Sequence, residues 1–155
     1  MSTSDIEWAV EHSVEVTVPL AFAWMYMTDV KNWDDPPAQF RLHGSFIGGS
    51  PGITEIPEQA PRHWRLREVK PQDSYSIEIA LDGAVILCKW VFAEGAASQT
   101  RLTQRITLQG ESVSSYSDEV QRAFGPGLAP GMNRIAVAIC QAYAQISGDK
   151  PTPVY

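Results

Sequence analysis

Polar and apolar residues alternate along the first part of the chain. From Glu7 to Thr17 the odd positions read Glu, Ala, Glu, Ser, Glu, Thr, while the even positions 8 to 18 read Trp, Val, His, Val, Val, Val. A period of two over this length predicts a long strand with one buried face. At Pro19 the pattern changes. Its fixed φ suits the first helical position, and Phe22, Tyr26, Val30 and Trp33 then recur at three- and four-residue spacing, which predicts an amphipathic helix of about four turns. Asp34-Asp35-Pro36-Pro37 ends it, because proline cannot continue the hydrogen-bond ladder; turn chemistry accounts for the two adjacent aspartates.

From Gln39 to Gln109 the period of two returns between turn signals, and six further strands fit, near 40–47, 53–58, 62–70, 74–82, 84–94 and 99–109. Asp82-Gly83 between two alternating runs is a type I′ hairpin signal. Tyr75, Ile77, Ile79 and Leu81 share one face of their strand, opposite Ser74, Ser76, Glu78, Ala80 and Asp82, so the sheet reads as antiparallel and solvated on one side. Glu68 has the phase of Trp64 and Leu66, unless a bulge turns Val69 inward in its place. An unpaired buried carboxylate is expensive, which favours an exposed Glu68. Residues 111–129 lose the alternation and read either as a short helix, around Tyr116 to Phe124, or as a mobile lid before Gly125-Pro126-Gly127. Met132, Ile135, Ile139, Tyr143 and Ile146 then predict the main helix over 130–147, opened by Pro130 and stopped by Gly148. Residues 149–155, with Pro151 and Pro153, read as a flexible tail. A chain of 155 residues fits one compact domain, here 1–148.

Composition narrows the partners. Hydrophobic residues make up 44% and charged residues 19%, a globular balance. Twelve Lys and Arg against eighteen Asp and Glu leave a net charge of -6, which repels nucleic acid and anionic membrane surfaces. Cys88 and Cys140 have neither a metal spacing nor the density of a disulfide scaffold, so the chain reads as reduced and cytoplasmic. With no basic and apolar leader and no run of 18 apolar residues, neither export nor stable membrane insertion is expected. A homodimer is left open.

Strand, helical segment, six strands and a long last helix is the order of the helix-grip fold. This is an α+β architecture with a seven-stranded curved antiparallel sheet wrapped around the C-terminal helix, and one or two short helices after the first strand. The residues carry the likeness further. Val18-Pro19-Leu20-Ala21-Phe22-Ala23-Trp24 running into Asp29-Val30-Lys31-Asn32-Trp33 resembles the START-like, birch-pollen-allergen-like (SRPBCC) superfamily, especially its bacterial polyketide cyclase/dehydrase-like branch. So do Trp90-Val91-Phe92-Ala93-Glu94-Gly95 running into Thr100-Arg101-Leu102-Thr103, and Pro130-Gly131-Met132-Asn133-Arg134. The likeness covers nearly the whole chain, but its motifs belong to the fold and not to one reaction. It implies a cavity between sheet and last helix that takes a small hydrophobic or aromatic molecule without a cofactor. The occupant is either a substrate held for cyclisation or dehydration, or a lipid or metabolite that is merely carried.

The candidate chemistry is sparse. Gly48-Gly49-Ser50-Pro51-Gly52 matches the G-x-S-x-G nucleophile elbow, but Pro51 lacks the oxyanion N–H and a strand follows instead of a helix, so it reads as a loop. His12 takes the inward phase of the first strand, either as a satisfied core histidine or as a ligand-facing base. Gln104 is inward between Leu102 and Ile106, a cavity wall or part of an internal network. With Tyr75 these are the candidates for orienting or deprotonating a substrate. Trp64, Tyr75, Cys88, Trp90 and Phe92 from the strands, with Tyr26 and Trp33, are plain core or pocket wall. The same two readings apply to Phe124, Met132 and Tyr143 from the later helices. His43 and His63 have no ligand at metal spacing, and no metal site is expected.

Overall fold

The computed structural model describes residues 6–147. In chain order these form β1 (Ile6–Val16), α1 (Leu20–Met27), a 3-10 helix (Val30–Trp33), β2 (Gln39–Leu42), β3 (Pro51–Glu55) and β4 (Arg62–Lys70). They continue through β5 (Ser74–Leu81), β6 (Ala84–Glu94), β7 (Thr100–Gln109), α2 (Val113–Phe124) and α3 (Leu128–Ser147). Gly148 and the tail 149–155 lie outside the described residues. All seven strands belong to one antiparallel sheet in the order β1-β7-β6-β5-β4-β3-β2. This is the helix-grip arrangement that the element order implies.

Hairpins join β2 through β7 in succession. At the β5–β6 turn Gly83 has φ +72°, the left-handed conformation that an Asp-Gly hairpin requires. The inward phase follows the sequence pattern: Tyr75, Trp90, Leu102, Ile106 and Leu108 are buried on one face. The opposite face is not uniformly open, since Ser74 and Ser76 are buried too. On the outer side of β1 and β7, Arg101 and Arg105 pair with Glu15 and Glu11, each at 3.4 Å. Such exposed pairs contribute little. In β4 the ladder slips between Leu66 and Glu68, so that Val69 pairs with Tyr75 and Glu68 with Ser76. Glu68 is accordingly exposed and Val69 half-buried.

The four-turn first helix is corrected to two turns of α-helix followed by a 3-10 turn. Thr28 ends α1 because its hydroxyl donates to the Trp24 carbonyl at 2.8 Å and its N–H bonds the same atom at 3.0 Å. Side-chain bonds of this kind compete with helix continuation. Asp29 then caps the 3-10 turn by accepting from the Lys31 N–H at 3.2 Å. The strand expected over 40–47 stops at Leu42, because the glycines at 44, 48 and 49 turn the chain into a loop. The strand expected over 53–58 instead spans 51–55. The stretch 111–129 is helical over Val113–Phe124. The last helix starts two residues before Pro130, which needs no N–H donor partner in a first turn. Of its apolar stripe, Met132 and Ile139 are buried, whereas Ile146 in the final turn is 70% exposed.

α3 packs mainly on β1 and also meets α1; α2 sits against β1 and β7, and α1 against β6. The Thr17 hydroxyl lies 3.6 Å from Cys140 Sγ, and Tyr143 packs on Phe22 with ring centroids 4.9 Å apart. α3 therefore runs along β1 from the α2 end to the α1 end, about 30 Å at 1.5 Å per residue.

Candidate functional site

Four of the sequence-predicted residues fall in one row across the concave face. His12 on β1 pairs with Gln104 on β7, Gln104 with Trp90 on β6, and Trp90 with Tyr75 on β5. Residues opposite one another on antiparallel strands point to the same face, with Cβ atoms about 5 Å apart. His12 and Gln104 are thus neighbours, whereas Tyr75 stands three strands from His12, about 14 Å at the usual strand spacing. The row is graded. Tyr75 and Trp90 are 1% and 5% exposed, while Gln104 and His12 are half-buried.

At the Tyr75 end the side chains close on one another. Its ring stacks on Trp33 (5.8 Å between centroids, 10° between planes) and meets Phe46, Trp24 and Phe92 at 5.1, 6.0 and 6.0 Å. Trp33 also touches Trp64 at 5.5 Å. These separations are those of favourable aromatic pairs. The polar atoms are committed as well: the Tyr75 hydroxyl donates to the Met27 carbonyl at 3.4 Å, and the Trp33 indole N–H donates to the same oxygen at 2.6 Å. That carbonyl ends α1 and has no partner within its own helix. Trp64 Nε1 donates to the Thr54 hydroxyl at 3.0 Å, and the Trp64 ring lies flat over Gly52, where a Cβ would collide with it. Burial pushes the Cys88 thiol up to about 12 and raises the Tyr75 phenol well above its ordinary value, with Cys88 adding to the latter. Tyr75 is therefore held as a neutral donor to the backbone. Tyr26, on the flank of this cluster, is raised by burial and then by the Asp29 carboxylate.

At the other end the row opens. Neither His12 nor Gln104 makes a side-chain hydrogen bond or ion pair with another described residue. No buried side-chain nitrogen or oxygen among the described residues lacks a partner. The polar atoms of this pair are consequently reached by solvent, although they stand on the face that carries the core. Their neighbours in phase, Trp8, Val10 and Val14, are half-buried, and Leu102 and Ile106 on β7 are buried. The result is an apolar wall with one imidazole and one carboxamide set side by side. Such a pair can accept and donate hydrogen bonds at once.

The remaining predicted residues differ in burial. Trp64, Cys88, Phe92 and Met132 are buried, and Tyr26, Trp33, Phe124 and Tyr143 half-buried. Phe46 belongs with the aromatic cluster but was not a candidate, because the alternation assigned it to a strand; the run of glycines around it was the available signal. Two open clefts lie elsewhere on the surface. One, of about 350 Å³, is lined by the end of α2 (Asp118, Gln121, Arg122, Gly125, Pro126). The other, of about 770 Å³, lies between α1, the 3-10 helix and β2, and includes Met25, Val30, Lys31, Phe40, Leu42 and Phe46. Neither has an α3 residue in its lining. Among the described residues no three His, Cys, Asp or Glu side chains group as metal ligands would, and no helix is long and apolar enough to cross a membrane.

No family model and no curated protein matches the sequence. Solved structures match its shape. A point mutant of norcoclaurine synthase from Thalictrum flavum, in complex with a transition-state analogue, superposes with a TM-score of 0.71 at 10% identity, over 94% of this chain and 99% of that one. The same enzyme in complex with dopamine and hydroxybenzaldehyde gives 0.68 at 12% identity, over 89% and 87%. A protein from Thermobifida fusca gives 0.68 at 16% identity, over 86% and 93%. At these identities the likeness is one of fold, the helix grip described above.

Proposed function

We propose that the protein binds a small hydrophobic or aromatic molecule on the concave face between β1, β7 and α3, with His12 and Gln104 as its polar contacts. The observation that carries this reading is the pair itself. Two polar side chains stand in register on the core face, open to solvent and without a protein partner among the described residues. A core has no use for such groups, since burying them unpaired would be costly. A ligand with one hydroxyl or carbonyl and an apolar body would satisfy both. A few polar groups in an apolar wall are the usual composition of a small-molecule site. Support also comes from the norcoclaurine synthase complexes, in which the same fold holds dopamine and hydroxybenzaldehyde.

The catalytic form of the reading is a polyketide cyclase/dehydrase-like enzyme. His12 would take a proton from a bound substrate while Gln104 holds the neighbouring oxygen, and the apolar wall confines a flexible chain in a reactive shape. Tyr75 has no part in it, because its hydroxyl is spent on Met27. The noncatalytic form is a carrier with the same contacts. Native mass spectrometry of freshly purified protein tests the binding: a co-purified small molecule lost from both His12→Ala and Gln104→Leu is the expected result. Retention in both variants overturns the site. Turnover that disappears in His12→Ala while the ligand stays bound selects the enzyme over the carrier.

A further inference from the structure

The loop from His43 to Ser50 carries Phe46 and is not used by the reading above. One half of it is fixed to β4: the Gly49 N–H donates to the Leu66 carbonyl at 2.6 Å, and the Leu66 N–H donates to the Ser50 carbonyl at 2.9 Å. The other half, Gly44 to Ile47, has a bond internal to the loop, from the Ser50 hydroxyl to the Ser45 carbonyl at 2.7 Å. Backbone bonds from the Ile47 N–H to the Ser45 carbonyl at 2.9 Å and from the Ser50 N–H to the Ile47 carbonyl at 3.2 Å also close it on itself, and the Phe46 ring is its contact with the aromatic cluster. Gly44 and Gly49 flank this half at φ +115° and +98°, conformations in which glycine turns freely and other residues rarely stand. Ile47, next to Phe46, is 60% exposed.

The Phe46 ring meets Tyr75 edge-on (5.1 Å, 90°) and Trp33 edge-on (6.0 Å, 85°). It also lines the cleft of about 770 Å³, beside Phe40, Leu42 and Val30. Tyr75 is 1% exposed while Phe46 is only half-buried, so the Phe46 ring stands between the open cleft and Tyr75, beside Phe40, which meets Trp33 at 6.0 Å. The place it fills is walled by aromatic rings. The donors of the two rings it touches, Tyr75 and Trp33, are both committed to the Met27 carbonyl, so neither offers a hydrogen bond to a polar guest.

We propose that Phe46 is a displaceable stopper, and that a neutral single-ring aromatic compound entering through the cleft takes the place of its ring against Tyr75 and Trp33. The exchange swaps one ring for another, and the displaced Phe46 finds apolar surface on Phe40 and Leu42 within the cleft. This site is separate from the His12–Gln104 pair and stands or falls without it. Affinity in the unmodified protein is reduced by the fraction of time the loop is closed, a penalty that vanishes when the ring is removed.

Fluorobenzene followed by fluorine NMR tests this. It should bind the unmodified protein saturably, Phe46→Leu more tightly and Phe46→Ala most tightly, by about tenfold if the loop is open roughly a tenth of the time. The bound probe should show contacts to ring protons of Tyr75 and Trp33 in each. Equal or weaker binding in both variants, or a probe remote from those rings, overturns the proposal. Loss of the signal in His12→Ala, with Phe46→Ala unchanged, would also overturn it while supporting the concave polar pair as the binding site.

Discussion

The two ends of one cross-strand row follow opposite rules. At Tyr75 the hydroxyl is matched and the ring is packed among four others; at His12 and Gln104 the strands are just as regular, yet the side chains have no hydrogen-bond partner among the described residues. The backbone does not distinguish the ends, because the pairing is continuous from β1 to β5. What differs is the cover. α1, the 3-10 helix and the loop 43–50 bring Trp24, Trp33 and Phe46 down onto β5 and β6. Over β1 runs α3, with Met132 and Ile139 buried and Ile135, Ala136 and Cys140 half-buried against the core. Rings that meet one another cover one end, whereas His12 and Gln104 at the other stay half-buried.

This contrast predicts unequal responses to substitution. The largest is at Tyr75: removing the ring in Tyr75→Ala should cost about 3–5 kcal/mol by leaving a cavity among four other rings, measurable by urea unfolding. Tyr75→Phe, which loses only the bond to Met27, should cost about 1 kcal/mol. Gly52→Ala comes next. Its methyl meets the Trp64 ring, and overpacking of this kind costs about 1–3 kcal/mol; a melting temperature equal to the unmodified protein's would show that Trp64 is not held as described. Cys88 gives a pH dependence of the same end. Burial holds its folded value at about 12, above that of an ordinary thiol, so the folded state keeps a proton that the unfolded state gives up. Stability is then fully present below about pH 9 and falls as pH rises toward 12. Cys88→Ala should flatten that decline between pH 9 and 10, before Tyr75 begins to contribute with the same sign. The smallest effect belongs to the open end. Gln104→Leu should change stability by no more than about 0.5 kcal/mol in either direction, since no hydrogen bond is lost. A loss above 2 kcal/mol would mean that Gln104 is structural and would erase the distinction between the ends.

Much of the architecture was legible because alternation is a local signal. The phases of Trp64, Tyr75, Trp90 and Leu102 are readable within their own strands, and Asp82-Gly83 marks its turn unaided. The inward phase of His12 and of Gln104 was equally plain. Their adjacency was not, because it depends on the register between the first strand and the last, which no local pattern encodes. The break in the first helix was missed because Thr28 and Asp29 act through side-chain bonds to the backbone that the apolar stripe overrides on paper. Phe46 was hidden for a related reason: a period of two ran through Phe40, Leu42 and Phe46, although Gly44 had already ended the strand. At Glu68 the sequence left two phases open, and the slip between Leu66 and Glu68 decides for Val69.

That slip has a consequence for changes in chain length. Arg67 is the surplus residue: without it Leu66, Glu68 and Val69 would still stand opposite Ile77, Ser76 and Tyr75, so a single-residue deletion would leave every side chain on its present side. The bend would go, however, and with it the backbone geometry at Leu66 and Arg67 on which Gly48, Gly49 and Ser50 rest. The extra residue therefore serves curvature and the seating of the neighbouring loop, and β4 would survive as a straighter strand if it were removed.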